Sequence, residues 1–329
     1  MREPSPSFWA RRRVFVTGAT GLLGSHLVGQ LLDLGADVVA LVRDTVPRSL
    51  LVSSGLAERI GVVRGCVTDD ALLRRILVEY EVQTTFHLAA QTIVNQAYNN
   101  PVETFDVNVG GTYRLLEACR MYGHCKEIVV AASDKAYGQQ ERLPYTEASP
   151  MQGSYPYDAS KSCADLITRC YASTYGLPTA VTRLANLFGP GDLNFNRIIP
   201  GTIRSVLLNE PVIVRSDGTP RREYVFVGDG ARAYLILAED IQSKGLAGEA
   251  FNFGLGYPLT VLDVVAAIKQ VGGRPELEVQ VLGQAKAEID AQWMDSTKAR
   301  TRLEWEPKWS FEEGLARTVP WYRECVGGG

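Results

Sequence analysis

Histidine is scarce, with three in 329 residues, which leaves little of the commonest metal ligand and general base. The six cysteines (Cys66, Cys119, Cys125, Cys163, Cys170 and Cys325) form no C-x-x-C pair and no His/Cys cluster at metal spacing. Neither a bound metal nor a disulfide framework is therefore expected. The cysteines read as reduced thiols of a cytoplasmic protein. Long apolar runs are missing too, since nothing approaches the roughly 18–20 residues of a membrane span. The opening MREPSPSFWARRR lacks the apolar core of a secretory signal. Net charge is small, with 34 basic against 37 acidic side chains for a formal −3. That balance gives no reason to expect nucleic acid or an anionic membrane as partner. Residues 1–10 read as a frayed leader, and Arg11-Arg12-Arg13 as a solvated strand entry.

What is present suffices for a core, with 46% of residues hydrophobic and 22% charged, the mix of a globular protein. RRVFVTGATGLLGSHLVGQLLDLGADVVALVRD predicts a strand over 14–17, a glycine turn, a helix and a second buried strand over 38–42. Leu22, Leu23, Leu27, Val28, Leu31 and Leu32 form the apolar face of that helix, and Gly35 stops it. The rhythm continues through IGVVRG, DDALLRRILVEY, TTFHLAA and a long helical stretch through VNVGGTYRLLEACRMYG. Such alternation predicts an α/β fold, a Rossmann-type doubly wound parallel sheet. Around residues 186–197, and again in RSDGTPRRE, Gly, Pro and Asn loosen the pattern. A smaller mixed α/β substrate-binding lobe is expected there. The expected division gives residues 11–185, with a returning segment near 224–255, to the dinucleotide-binding domain. Residues 186–223 and 256–329 go to the lobe.

Gly18, Gly21 and Gly24 stand as G-x-x-G-x-x-G between the first strand and an apolar helix. Glycines there let the backbone turn sharply and approach a pyrophosphate, whose charge then meets the helix N-terminus. The second strand ends in Val42-Arg43-Asp44, which points both ways. Asp44 suits the adenosine ribose of NAD, whereas Arg43 suits a 2′-phosphate of NADP or stacking on adenine.

Two further stretches carry chemistry. In SYPYDASKSCADL, Tyr157 and Lys161 lie four apart, on one face of a helix. A lysine ammonium beside a phenol lowers its pKa from about 10 towards neutrality. Such a tyrosine can take a proton from a sugar hydroxyl while hydride leaves the same carbon. In VVAASDKAYG, a buried strand ends in Ser133, Asp134 and Lys135. An acid beside a base at a sheet end is costly to bury unless something uses the charges.

VTGATGLLGSHL, HLAAQ, NVGGTYRLLEA, YDASK, LANLFGPGD, RREYVFVGD and ARTRLEWEP with SFEEGL occur in an order that resembles the extended short-chain dehydrogenase/reductase family. Within it the likeness is to the nucleotide-sugar epimerases and dehydratases. The resemblance implies NAD as cofactor (NADP not excluded), a nucleoside-diphosphate sugar as substrate, and a homodimer built on helix pairs. It places the cofactor along Gly18, Thr20, Gly21, Leu22, Leu23, Gly24, Arg43, Asp44, Cys66, Val67, Leu88, Ala89, Ala90, Gln91 and Asn108. Cys66 stands where many relatives have an aspartate facing adenine, which leaves the Val67 backbone for that contact. Asn108 reads as ordering a helix and its neighbouring strand, and His87 as a satisfied strand histidine. Tyr157 becomes the proton acceptor, Lys161 its partner and nicotinamide-ribose ligand, and Ser133 the hydroxyl bonded to the sugar 4-OH. Gln91, Asn186, Asn196, Arg197 and Arg222 fall on the substrate side. Asn186 also reads as a turn residue and Arg222 as a surface ion-pair partner.

Members that only epimerise at C4 usually carry small or hydroxyl residues where this chain has Asp134 and Lys135. A 4,6-dehydratase needs an acid at the C6 oxygen and a base at C5, so Asp134 is expected as the acid. Lys135 is then the base or its electrostatic partner. Asp-Lys, together with GPGDLNFNRIIP and EPVIVRSDG, resembles the CDP-glucose 4,6-dehydratases. The alternatives are a UDP-sugar or UDP-uronic acid 4-epimerase and, more distantly, a non-catalytic dinucleotide sensor.

Overall fold

The computed structural model describes residues 2–284 and 289–327. Seven parallel strands form the central sheet: β1 (Arg13–Thr17), β2 (Asp37–Val42), β3 (Gly61–Arg64), β4 (Thr84–His87), β5 (Glu127–Ala131), β6 (Thr179–Leu184) and β11 (Ala250–Phe253). Their spatial order is β11-β6-β5-β4-β1-β2-β3. It reverses between β1 and β4, the place where open α/β sheets leave a crevice beyond their strand ends.

Each strand reads as an apolar run because both faces are covered. Val14 and Val16 of β1 join one core with Leu27, Val28 and Leu31 of the Leu22–Asp33 helix and with the Val227–Ser243 helix. Phe15, between them, points to the other core, among Leu73, Ile76, Leu115 and Leu116. Alternate side chains must go to opposite faces of a strand, so two cores require a continuous hydrophobic sequence. The Val227–Ser243 helix is buried along nearly its whole length. The sheet lies on one side of it, and Trp9, Leu303 and Trp305 belong to the same core.

The start of the chain is not a frayed leader. Pro6–Trp9 is helical and Trp9 is fully buried, its indole N–H donating to Glu239 at 2.7 Å. Arg2 pairs with Glu239 and Asp240. Arg12 is also not simply solvated, because its guanidinium pairs with the buried Glu127 and lies over the Phe8 ring. The expected helical stretch through 106–122 contains a π-helical turn, Asp106–Gly110, ahead of the Gly111–Tyr122 helix. Turns of this kind often sit at functional sites, and this one holds Asn108.

After β6 the chain builds shorter pairs. β7 (Asn186–Phe188) lies parallel to β10 (Tyr224–Phe226). β8 (Val212–Val214) lies parallel to β13 (Val279–Val281). β9 (Arg221–Arg222) runs between β12 (Leu259–Thr260) and β14 (Ala291–Gln292). The helices Ile198–Leu208, Val261–Val271 and Phe311–Gly327 pack beside them through Ile203, Ile268, Leu315 and Tyr322. The part of the expected lobe at 285–288 and 328–329 lies outside the described residues. Among the described residues, no helix is long and apolar enough to cross a membrane.

Candidate active site

A cleft of about 1100 Å³ opens at the C-terminal ends of the strands and continues under the shorter pairs. Its floor is the glycine turn. Gly18 has φ +76°, and a Cβ on it would stand 2.7 Å from the backbone of Leu88 and Ala89. A Cβ on Gly24 would stand 2.2 Å from the Gly18 carbonyl oxygen. Side chains are thus excluded where β1, β4 and the Leu22–Asp33 helix converge. The backbone leaves that helix N-terminus facing the cleft through Gly21, Leu22 and Leu23. This cradle fits an anionic diphosphate.

Thr20, Arg43, Asp44, Cys66, Val67, Leu88, Ala89, Ala90 and Gln91 line the same wall. Arg43 Nε donates to Asp44 Oδ2 at 2.6 Å, both side chains being well exposed. Each of the two candidate readers of the adenosine ribose therefore has the other as partner. Asn108 does not line the cleft. It is buried, takes the Gln91 N–H at 2.7 Å, and donates to the Gln91 carbonyl and to Ser160. His87 is likewise internal, bonded to Thr17 at 2.8 Å and Thr112 at 3.1 Å. Burial, with the Lys161 charge, lowers it to about 3 and keeps it neutral.

Ser133, Asp134, Lys135, Tyr157 and Lys161 converge on the middle of the cleft. Ser133 Oγ donates to Asp134 Oδ1 at 2.9 Å. Among the described residues Asp134 Oδ2 has no hydrogen-bond partner, although the residue is 1% exposed. Tyr157 and Lys161 come from the Pro156–Tyr175 helix, one turn apart. Lys161 Nζ donates to the Ala131 carbonyl at 2.8 Å, and burial lowers its pKa to about 8. The expectation that Lys161 draws the phenol down is not what this arrangement gives. Burial pushes Tyr157 up to about 12, the Asp134 charge adds to it, and Ser133 and Arg197 pull it partly back.

On the other wall lie Asn186, Asn196, Arg197 and Arg222. Asn186 Nδ2 donates to the Glu223 carbonyl at 3.1 Å. Arg197 pairs with Asp192 at 3.0 Å, and Arg222 donates to the Arg221 carbonyl at 2.9 Å. Sequence reasoning passed over Arg204, Arg215 and Tyr224, which line the same wall. It also passed over two buried acids. Asp158, next to Tyr157, is raised to about 6 by burial, with Lys135 opposing and Asp134 adding to the shift. Glu223, next to Arg222, takes the N–H groups of Gly256 and Met294 and is raised to about 7, chiefly by burial. Both stand one residue from a motif position, which was the available signal.

The model of the GDP-mannose 4,6 dehydratase family matches residues 15–318. The chain belongs to that family. Its members include nucleotide-sugar dehydratases and epimerases of the extended short-chain dehydrogenase/reductase type. The chain is 33% identical to the CDP-glucose 4,6-dehydratase of Salmonella typhimurium over 337 residues, covering 98% of this chain and 93% of the relative. It is 31% identical to the dTDP-glucose 4,6-dehydratase of Xanthomonas campestris, covering 93% and 92% of the two chains. Among solved structures, the dTDP-glucose 4,6-dehydratase DesIV of Streptomyces venezuelae, which has NAD bound, matches with TM-score 0.86 and 31% identity over 96% of this chain and 98% of that one. The UDP-glucose 4-epimerase of Thermotoga maritima, with UDP-glucose, matches with TM-score 0.86 and 28% identity over 95% and 99%.

Proposed function

We propose that this enzyme is a nucleotide-sugar 4,6-dehydratase that uses NAD, with CDP-glucose as the first substrate to test. The observation that carries the reading is Asp134: a carboxyl group just past a strand end, 1% exposed, on the cleft wall, with one oxygen left without a partner among the described residues. A buried acceptor is rarely left unmade for structural reasons, and a substrate hydroxyl would complete it. Ser133 and Lys135 flank it in the chain.

The glycine cradle, Arg43, Asp44 and the 88–91 strand end would hold the dinucleotide, and Lys161 its nicotinamide ribose. When bound, the nicotinamide supplies a hydride acceptor and returns the hydride later. Ser133 orients the sugar 4-hydroxyl, and Tyr157, whose phenol burial keeps protonated in the protein alone, would take its proton as the phenolate that the positive charge of a bound oxidised nicotinamide favours. Lys135, as the free amine, removes the proton at C5, which the neighbouring ketone acidifies, while Asp134, carrying the proton as its acid form, delivers it to the departing C6 oxygen. Water leaves a 5,6-alkene, C6 receives the hydride taken from C4 while Lys135 gives its proton back to C5, and the product is the 4-keto-6-deoxy sugar. Asn186, Asn196, Arg197 and Arg222 hold the nucleoside diphosphate, for which Arg222 offers a fixed, permanently charged fork. Residues 11–185 with 224–255 then serve the cofactor, and 186–223 with 256–329 the sugar nucleotide. The exposed apolar side chains Tyr98, Val102, Met121 and Leu166 are the surface we assign to a homodimer.

The likeness to the UDP-glucose 4-epimerase structure favours C4 epimerisation as the second reading. Incubation with CDP-, UDP- and dTDP-glucose decides between them. A dehydratase yields a product with the alkaline absorbance of a 4-keto-6-deoxy sugar, and an epimerase yields none.

A further inference from the structure

Lys135 is not held by its own neighbourhood alone. Gln292, which lies 157 positions further along the chain, accepts from Lys135 Nζ through Oε1 at 3.4 Å. Gln292 is 1% exposed. Among the described residues its Nε2 has no partner within hydrogen-bond geometry, and two polar side chains bear on the amide: Lys135, which donates to Oε1, and Tyr145, whose hydroxyl the glutamine also engages. A lysine amino group, charged or neutral, has an N–H to give the carbonyl end of the amide, and as a neutral amine it keeps its lone pair free while doing so. An apolar residue of similar size would fill the same space without leaving a buried N–H unbonded.

We propose that Gln292 is the positioning residue of Lys135, fixing its amino group beside Asp134 for abstraction at C5. The inference rests on the dehydratase reading and deepens it. Gln292 belongs to β14 and stands in register with Arg222 of β9. The strand pair that offers Arg222 to the substrate diphosphate thus also places the group assigned as base. Gln292 acts through Lys135, so its loss affects elimination and spares oxidation at C4.

Other charges bear on this corner. Asp134 precedes Lys135 in the chain, and Asp158 of the Pro156–Tyr175 helix feels both. Glu223, Tyr145 and Tyr157 feel the Asp134 charge from the remaining sides. A carboxylate placed at 292 would join them and hold the proton on Lys135 more tightly.

The test uses the full-length enzyme with NAD and CDP-glucose, or whichever nucleotide-hexose the wild type turns over. Two single-turnover rates are followed against pH: formation of reduced nicotinamide, and exchange of the C5 hydrogen with solvent deuterium. For Gln292→Leu we expect oxidation within about threefold of wild type and exchange at least tenfold slower. For Gln292→Glu, which keeps shape, we expect the rising limb of the exchange profile, set by loss of the proton from the base, to move up by about one pH unit. Gln292→Asn should recover little, because its amide is one methylene too short. An unmoved limb in Gln292→Glu overturns the proposal, as does equal loss of both rates in a folded Gln292→Leu. If Gln292→Leu does not fold, the limb in Gln292→Glu decides alone. A wild type that makes 4-keto-6-deoxy product while the limb stays fixed refutes only this inference. A wild type that makes none from any nucleotide-hexose removes the dehydratase reading and this inference with it.

Discussion

Ser133 donates its hydroxyl hydrogen to Asp134 across 2.9 Å, so the group assigned to the sugar 4-hydroxyl and the group assigned to the C6 oxygen are bonded to each other. Oxidation and elimination are thereby served from adjacent residues at the end of one strand. The arrangement makes the two half-reactions separable by substitution. In Asp134→Asn the amide keeps the shape but cannot deliver an acidic proton. Reduced nicotinamide should form at a rate within about tenfold of wild type and persist, while turnover falls on the order of 10²-fold or more. Stopped-flow absorbance of the nicotinamide shows both. Normal turnover would make Asp134 structural and bring the 4-epimerase reading forward.

Tyr157→Phe should behave differently. The phenol is assigned to oxidation, the first step, so its loss should suppress reduced nicotinamide altogether. Turnover should drop on the order of 10²-fold or more, with substrate affinity largely kept. Equilibrium binding of the nucleotide-sugar alongside single-turnover absorbance checks this. A mutant that still reduces the cofactor at the wild-type rate would move the proton acceptor elsewhere.

Arg43 bears on the choice of dinucleotide. Its 2.6 Å contact with Asp44 leaves both side chains well exposed at the cleft edge. If Arg43 answers a 2′-phosphate, Arg43→Ala should weaken NADP at least tenfold and NAD by less than about threefold. Calorimetric titration of each cofactor measures the two changes. Equal losses would mean that Arg43 covers adenine or faces solvent.

Much of this fold was legible because its signals are local. Val14, Phe15 and Val16 announce a strand covered on both faces, and Gly18 and Gly24 a turn that no side chain fits. The Tyr157 and Lys161 pair announces itself by helical spacing. What stayed hidden depends on distant partners. Trp9 looked like part of a leader because Glu239, its hydrogen-bond acceptor, is 230 positions away. Arg12 looked solvated because Glu127 is 115 positions away. Gln292 has no motif around it, and the pairing of β14 with β9, continued by the bridge from Met294 to Tyr145, brings it to Lys135. The Tyr157 phenol misled for a related reason. Spacing shows that Lys161 is near, but not that Ala131 takes its proton donor or that burial outweighs its charge.

Glu223 gives a dependence on pH that needs no substrate. Folding raises its pKa from an ordinary 4.5 to about 7, mainly through burial. The native state therefore holds this proton over a range in which the unfolded chain has released it. The stabilisation is complete below about 4.5 and is lost as pH rises through about 7, in total on the order of 3 kcal/mol. Glu223→Gln should lose that slope. It should also be less stable at low pH by about 1–3 kcal/mol, since its amide N–H would oppose a backbone N–H of Gly256 or Met294. Urea unfolding from pH 4.5 to 8 provides the comparison, and parallel curves for the two proteins would contradict the assignment.

The central claim is that hydride taken from C4 returns to C6 of the same sugar while water leaves. A nucleotide-hexose carrying deuterium at C4 tests it most directly, with the product read by mass spectrometry and proton NMR. The account predicts a product lighter by one water, with the deuterium in its C6 methyl group. A product of unchanged mass, with the deuterium still on C4 and that carbon inverted, would contradict it and establish the epimerase.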